Sequence, residues 1–336
     1  MNLRTTLHTL RRIGPVAAGV GLLWAAAAGC NNSTPESLSG MIAATPATTS
    51  GDFARPFDTV PSSDGSTFYF TGMGSQGLGV YSVPAMGGAA MPLAVGTPFV
   101  SPFGIAISSD DKTLYIADAA AGYDPNDPAG SDNLGLVYTL PVGGGMPQPL
   151  MGTAGTRPRS IDVASNNGAD TVWFTGNTST GDGAVYNIPA SGGTPTTAVS
   201  GAPLVDPSGI ALSKSGDAYV VNTTAPDSGA AAIYKISGGM ATPYVSGIQV
   251  GYPAGAALSM GETVLLISGR DGNAGTDVVY TVKLDGSMAL GSVNMGIEGN
   301  TDAAGLHRAR NSNVFSWADL TAGPTGTGIV YRIELK

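Results

Sequence analysis

One cysteine in 336 residues leaves no partner for an internal disulfide. Histidine is almost as scarce, with two in the chain, and no Cys/His spacing of the kind that holds zinc occurs. A glycine-rich phosphate loop is missing: Gly143-Gly144-Gly145 reads as a hairpin turn, with no helix after it to receive an anion. There is no Gly-x-Ser-x-Gly elbow. Charged residues make up only 12% of the chain, and 15 Lys and Arg face 24 Asp and Glu, for a net charge of −9. Such a surface repels phosphate backbones, which excludes nucleic acid as a partner. Long apolar runs are lacking as well. The stretch from Ile13 to Ala28 is broken by Gly14 and Pro15 and falls short of the ~20 residues a spanning helix needs.

That stretch reads instead as a targeting segment. Arg4, Arg11 and Arg12 make it basic at the start, and Ala27-Ala28-Gly29 leads directly into Cys30. The arrangement resembles a bacterial lipobox, with Ala27 in place of the usual leucine. The resemblance implies a signal peptide over 1–29 and a lipidated Cys30 carrying diacylglycerol and a fatty acyl chain such as palmitate. Two or more chains hold a soluble domain stably at a bilayer. Residues 30–40 then form a polar tether, and Asn31 after the cysteine favours the outer membrane. The Arg11-Arg12 pair hints at twin-arginine export. Loss of 1–29 removes three arginines and no acid, so twelve basic residues face 24 acidic ones, a net charge of −12.

What the chain has in abundance is turn residues, 50 glycines and 23 prolines. Between them one phrase recurs: GVYSVP at Tyr81, LVYTLP at Tyr138, AVYNIP at Tyr186, AIYKIS at Tyr234, VVYTVK at Tyr280 and IVYRIE at Tyr331. The copies lie roughly 50 residues apart, the length of four short strands, which is the signature of a propeller blade. In the second copy Pro102–Ile107, Thr113–Ala117, Leu136–Pro141 and Gln148–Met151 read as those strands. The sequence therefore predicts an all-β, six-bladed β-propeller of four-stranded antiparallel blades over 41–336. The blades fall near 57–98, 99–153, 156–201, 205–247, 252–296 and 300–336. The last copy ends at Lys336 without a fourth strand, while Ala44–Gly51 resembles Gly193–Gly201, which closes the third blade. An N-terminal strand over 41–51 is thus expected to complete the last blade and close the ring, leaving no open edge.

The pair PFGIAIS and TLYIADA, echoed by PSGIALS and DAYVVNT, resembles the NHL repeat and the gluconolactonase, or senescence-marker-protein, superfamily. The hairpin from tyrosine through Gly-Gly to proline is similar to repeats of TolB-like propellers. The gluconolactonase resemblance implies a divalent metal in the central channel, held by a glutamate, an asparagine and an aspartate. The matching places here are Phe103, Ser208, Arg159 and Ala254, which do not suit a hard cation. None of the four glutamates Glu36, Glu262, Glu298 and Glu334 stands at the required strand start. A similarity to streptogramin-lyase propellers implies a histidine base, and His307 is the one histidine after the leader. The arginines Arg308 and Arg310 beside it are expected to favour its neutral form. Its plainer role is a polar residue at a blade interface.

Loops between second and third strands are the expected binding surface. Asp124, Asp127 and Asp132 in one, and Asp271, Asn273 and Asp277 in another, are candidate calcium ligands, and calcium is the one candidate cofactor. The same residues are also ordinary turn formers. Asp118 and Asn222 end second strands at equivalent places, where they either contact a ligand or bond neighbouring backbone as Asx turns, the second being the ordinary role. Trp173 and Trp317 read as blade-packing residues. The expected function is a monomeric, membrane-anchored extracytoplasmic module that binds or scaffolds an envelope protein, peptide or glycan. The alternative is a divergent lactonase- or lyase-like enzyme with His307, Arg159 and Asp118 at the channel mouth.

Overall fold

Runs such as TLYIAD and GAVYNIP carry apolar residues on both sides of a strand, so they become stable only when both sheet faces are covered. Stacking sheets around an axis covers them. The computed structural model of the protein describes residues 44–48, 53–122, 134–225, 230–297, 302–323 and 326–335. Strand β1 (Thr45–Pro46) precedes the first blade, formed by β2 (Phe53–Pro61), β3 (Thr67–Gly74), β4 (Gly77–Pro84) and β5 (Met91–Val95). The second blade holds β6 (Pro102–Ile107), β7 (Thr113–Asp118), β8 (Leu136–Pro141) and β9 (Gln148–Pro149). The third holds β10 (Ile161–Asn166), β11 (Ala169–Asn177), β12 (Gly183–Pro189) and β13 (Thr196–Ser200). The fourth holds β14 (Asp206–Leu212), β15 (Ala218–Ala225), β16 (Ala230–Ser237) and β17 (Met240–Gln249). The fifth holds β18 (Ala256–Leu258), β19 (Val264–Asp271), β20 (Thr276–Lys283) and β21 (Leu290–Asn294). In the sixth, β22 (Ala303–Arg308), β23 (Val314–Asp319) and β24 (Ile329–Glu334) take β1 as their fourth strand.

These six four-stranded antiparallel sheets make an all-β, six-bladed propeller closed by its N-terminal strand. The closing ladder is short, pairing Thr45 with Arg332 and Pro46 with Tyr331. Beyond it the Thr48 hydroxyl accepts the Val330 N–H at 2.9 Å, and Thr48 bridges to Gly88 of the first blade. Strand β9 is likewise shorter than the Gln148–Met151 read from sequence. There the Thr153 hydroxyl accepts the Val137 N–H at 3.0 Å, which ends the ladder with a side chain.

The repeated tyrosines lie in register on the third strands, opposite Phe70, Ile116, Phe174, Val220, Ile267 and Trp317 of the second. Tyr186 stacks on Phe174 with ring centres 5.3 Å apart, and its hydroxyl donates to the Asn177 carbonyl. Recurrence of this packing is why the phrase repeats. The core is divided into seams between blades, each an apolar cluster drawn from two neighbouring sheets. The seam between the third and fourth blades has the fewest fully buried apolar residues. Its cluster has only six buried residues, such as Val185, Ile210 and Val220, whereas the seam between the fourth and fifth has 13.

Candidate functional site

Around the axis, the inner strands β2, β6, β10, β14, β18 and β22 present equivalent positions in register. One of these rings is Asp58, Gly104, Ser160, Gly209, Gly255 and Gly305. Glycine is required at Gly305 because a Cβ there would overlap the Asp58 carboxylate, and at Gly104 because it would meet the Arg159 carbonyl. Two residues further along each strand lie Val60, Ala106, Asp162, Ala211, Ala257 and His307. Four of the six are small and apolar. The third and sixth blades depart, with a carboxylate and an imidazole.

Asp58 is buried, and its carboxylate accepts the N–H of Thr59 at 2.8 Å and of Ile105, in the next blade, at 3.0 Å. His307 Nε2 meets the same Asp58 Oδ2 at 3.2 Å. Asp162 repeats the device, accepting the N–H of Val163 at 2.8 Å and of Leu212 in the next blade at 2.9 Å. Inner-strand N–H groups have no further strand to pair with, and these carboxylates satisfy them. Burial lowers the His307 affinity for a proton, but the charge and hydrogen bond of Asp58 and the charge of Asp162 outweigh it, so its pKa is raised. This corrects the expectation that neighbouring arginines favour the neutral ring. The controlling carboxylate lies 249 residues away in sequence.

A cavity of about 690 Å³ opens at the end of the channel where first and second strands are joined by turns. Blade-to-blade bonds tie these turns together. The Ser63 N–H and hydroxyl donate to Asp111, the Ser109 N–H to Asp170, and the Lys214 N–H to Glu262. The Met260 N–H donates to Asn313 and the Asn311 N–H to the Ser63 carbonyl. Among the described residues this series has no member between the turns of the third and fourth blades. The cavity extends into that gap, at the same seam that has the fewest fully buried apolar residues.

One wall is a cross-strand row on the third blade, Asp162, Trp173 and Asn187, directly opposite one another on β10, β11 and β12. The equivalent second-strand residue is tyrosine in the first, second and fourth blades, at Tyr69, Tyr115 and Tyr219. Trp173 packs part of its surface on that seam and turns the rest to the cavity. The sequence reading of it as a packing residue is therefore incomplete, whereas Trp317 is fully buried as expected. The facing wall brings Lys214, Glu262, Arg308 and Arg310. The Arg308 guanidinium donates to the carbonyls of Leu258, Ala309, Arg310 and Ser312. The Nε of Arg310 is buried without a hydrogen-bond partner.

The other residues singled out by sequence lie elsewhere. Arg159 and Asp118 are at the opposite end of the channel from this cavity, so they do not join His307 in one site. Arg159 pairs with Asp206 at 3.1 Å and donates to Asn177 at 2.6 Å. Asp118 accepts the N–H groups of Val100 and Ser101 at 2.8 Å and of Ala120 at 3.2 Å. Burial raises its pKa against those bonds. Asn222 does the same work for Val205 and Asp206. Phe103 packs edge-on between Phe57 and Tyr252, with ring centres 5.6 and 5.9 Å apart. Burial pushes the Tyr252 phenol up to about 12. Ser208 is bonded to Thr223 at 2.9 Å. The places where the gluconolactonase resemblance puts a metal thus hold an aromatic cluster, an ion pair and a hydroxyl pair, and do not fit a hard cation.

Of the calcium candidates, Asp124, Asp127 and Asp132 lie outside the described residues, as do Cys30, the leader and the tether. Asp271 closes its own turn, accepting the N–H of Asn273 at 2.8 Å and of Ala274 at 3.1 Å, which lowers its pKa. Asp277 is buried on β20 opposite Arg270. Among the described residues no three His, Cys, Asp or Glu side chains gather as cation ligands.

No protein-family model matches the chain, and no curated protein sequence matches it. Solved structures do. A putative oxidoreductase (glucose dehydrogenase) from Thermus thermophilus aligns over 88% of this chain and 100% of its own, at 13% identity and a TM-score of 0.61. A gluconolactonase from Xanthomonas campestris covers 90% and 97%, at 18% identity and 0.53. TolB from Acinetobacter baumannii covers 78% of this chain, which spans only 65% of TolB, at 12% identity and 0.55. At these identities the likeness is one of fold, which enzymes and TolB share.

Proposed function

We propose that this chain is an extracytoplasmic propeller tethered to the cell envelope by lipid on Cys30, and that it binds a glycan at the turn-side mouth of its channel. The observation that carries the binding reading is the Asp162–Trp173–Asn187 row on the wall of a 690 Å³ cavity. An indole face takes the C–H surface of a sugar ring, while carboxylate and amide groups beside it take hydroxyls. The volume is that of an ordinary ligand site, ~300–1,000 Å³. The lipid tether is supported by the small residues before Cys30 and by its solitude. Kinship with the NHL and gluconolactonase propellers is supported by the recurring PFGIAIS-type phrases and the shared fold.

Glycan-array binding by the full-length protein, purified from membranes in detergent, tests the site. Retention of a saccharide that Trp173→Ala loses is the expected result. No retention of any glycan, or equal retention by Trp173→Ala, would overturn it. For the tether, an alkyne-palmitate label should enter the wild-type protein and not Cys30→Ser, which should leave the membrane fraction. Labelling of Cys30→Ser would sink that part.

The His307–Asp58 contact favours one second reading, an enzyme at the same cavity. A buried imidazole held by a carboxylate is the arrangement a general acid or base requires. Turnover of a bound saccharide that His307→Gln abolishes without loss of binding would establish it.

A further inference from the structure

The charges around this cavity do not match those of the whole protein. The chain has net charge −9 and only 15 lysines and arginines, yet Lys214, Arg308 and Arg310 all line this one space. Four basic side chains elsewhere have carboxylate partners: Lys112 with Asp110, Arg159 with Asp206, Lys235 with Asp217 and Arg332 with Glu334. Among the described residues none of Lys214, Arg308 and Arg310 makes such an ion pair.

The two acids on the lining are already answered. Asp162 accepts two backbone N–H groups, and Glu262 accepts the Lys214 N–H at 2.8 Å. His307 and Asp58 offset each other. Among the described residues the Lys214 ammonium reaches only the Met260 carbonyl, at 3.1 Å, and Arg308 only carbonyl oxygens. Neutral dipoles do not neutralise either cation, and Asp162 and Glu262 act on Arg308 only through space, without a direct ion pair. Arg310 adds a buried Nε with no hydrogen-bond partner at all. A guanidinium in this state is unusual, because a buried donor left unpaired costs free energy that an incoming acceptor recovers. Carboxylate is the acceptor whose geometry a guanidinium fork matches.

Resting on the glycan reading above, we propose that the ligand is an acidic saccharide whose carboxylate sits on Arg310 and Lys214 while an adjoining sugar ring lies on Trp173. The row of Asp162 and Asn187 then receives ring hydroxyls, and the gap between the third- and fourth-blade turns admits the rest of the chain. The three basic residues come from the fourth and sixth blades and the indole from the third, so the ligand bridges the gap between the third- and fourth-blade turns. Arg308, committed to four carbonyls, holds the wall and supplies positive potential, and is not itself a ligand contact.

Trp173 fluorescence in the full-length protein carrying Trp24→Phe gives the test, since the remaining Trp317 is fully buried and reports on folding. The probes are a galacturonic acid disaccharide and its methyl ester, which keeps every hydroxyl and removes the charge. The acid should bind at least tenfold more tightly than the ester, and salt should weaken the acid alone. Arg310→Gln and Lys214→Gln should each reduce that preference, the acid losing more affinity than the ester. Equal affinity for acid and ester would overturn the acidic class and leave the glycan site standing. Failure of both to bind the folded protein would overturn both. Unchanged acid binding in Arg310→Gln would remove the carboxylate seat from that residue. A Trp317 signal that stays native in each variant separates these outcomes from misfolding.

Discussion

At the scale of single residues, Asp58 is the most constrained polar group in the ring. It answers a backbone N–H in its own strand, one in the next blade, and His307 across the closure point. Asp58→Asn removes the charge and halves the acceptor capacity, leaving buried donors unpaired. Breaking a buried charged pair in this way costs about 3 kcal/mol, measurable as a shift in the urea midpoint. The pH dependence has a definite sign. The His307 pKa is raised in the folded protein, so the stabilisation is complete below the unfolded histidine value, ~6.5. It is lost as pH rises through the folded value. Wild-type stability should therefore decline as pH climbs above ~6.5, and His307→Gln should flatten that decline. An unchanged slope in His307→Gln would show that another group is responsible. Gly305→Ala tests the same contact from the opposite side. A methyl group there collides with the Asp58 carboxylate, so it should destabilise by about 1–3 kcal/mol as an overpacking change.

At the scale of strands, the repeated tyrosine marks the packing. Tyr186→Phe keeps the stack on Phe174 and loses only the bond to the Asn177 carbonyl, so about 1 kcal/mol is expected in chemical denaturation. Trp317→Ala, by contrast, empties a fully buried site and should cost ~3–5 kcal/mol. A sequence read one strand at a time makes this layer legible, because Tyr81 and its five equivalents fall at the same place in each copy. The candidate site was not legible that way. Asp162, Trp173 and Asn187 belong to three strands and become a row only once β10, β11 and β12 are set in register. The available signal was a departure from the repeat, Asp162 and His307 standing where four other blades carry Val60, Ala106, Ala211 and Ala257. The loops drew attention instead, because aspartates and asparagines such as Asp271 and Asn273 look like ligands. Asp271 spends its carboxylate on its own turn. Asp58 could not be linked to His307 from sequence at all, since ring closure alone brings the first and sixth blades together.

At the scale of the molecule, the seams of the ring are not secured alike. A ring of six blades has six seams, and five carry bonds between neighbouring turns. The sixth-to-first seam is secured further by the N-terminal segment: β1 pairs with β24, Ala47 is buried between the blades, and Thr48 bonds to Val330. Among the described residues the seam between the third and fourth blades has no turn-to-turn bond and the fewest fully buried apolar residues of the six seams, while the Arg159–Asp206 ion pair and the Leu212 N–H to Asp162 still cross it. Thr48→Val should remove one buried acceptor from Val330 and cost about 1–2 kcal/mol. Deleting residues 44–51 should do much more, exposing the edge of β24 and freeing the sixth blade from the first. The expected result is a large fall in melting temperature with self-association by light scattering, because an unpaired strand edge recruits another chain. If the deleted protein stayed monomeric and melted as the wild type does, the first and sixth blades would be held by their apolar seam alone. The N-terminal strand would then be an accessory to a ring that closes without it.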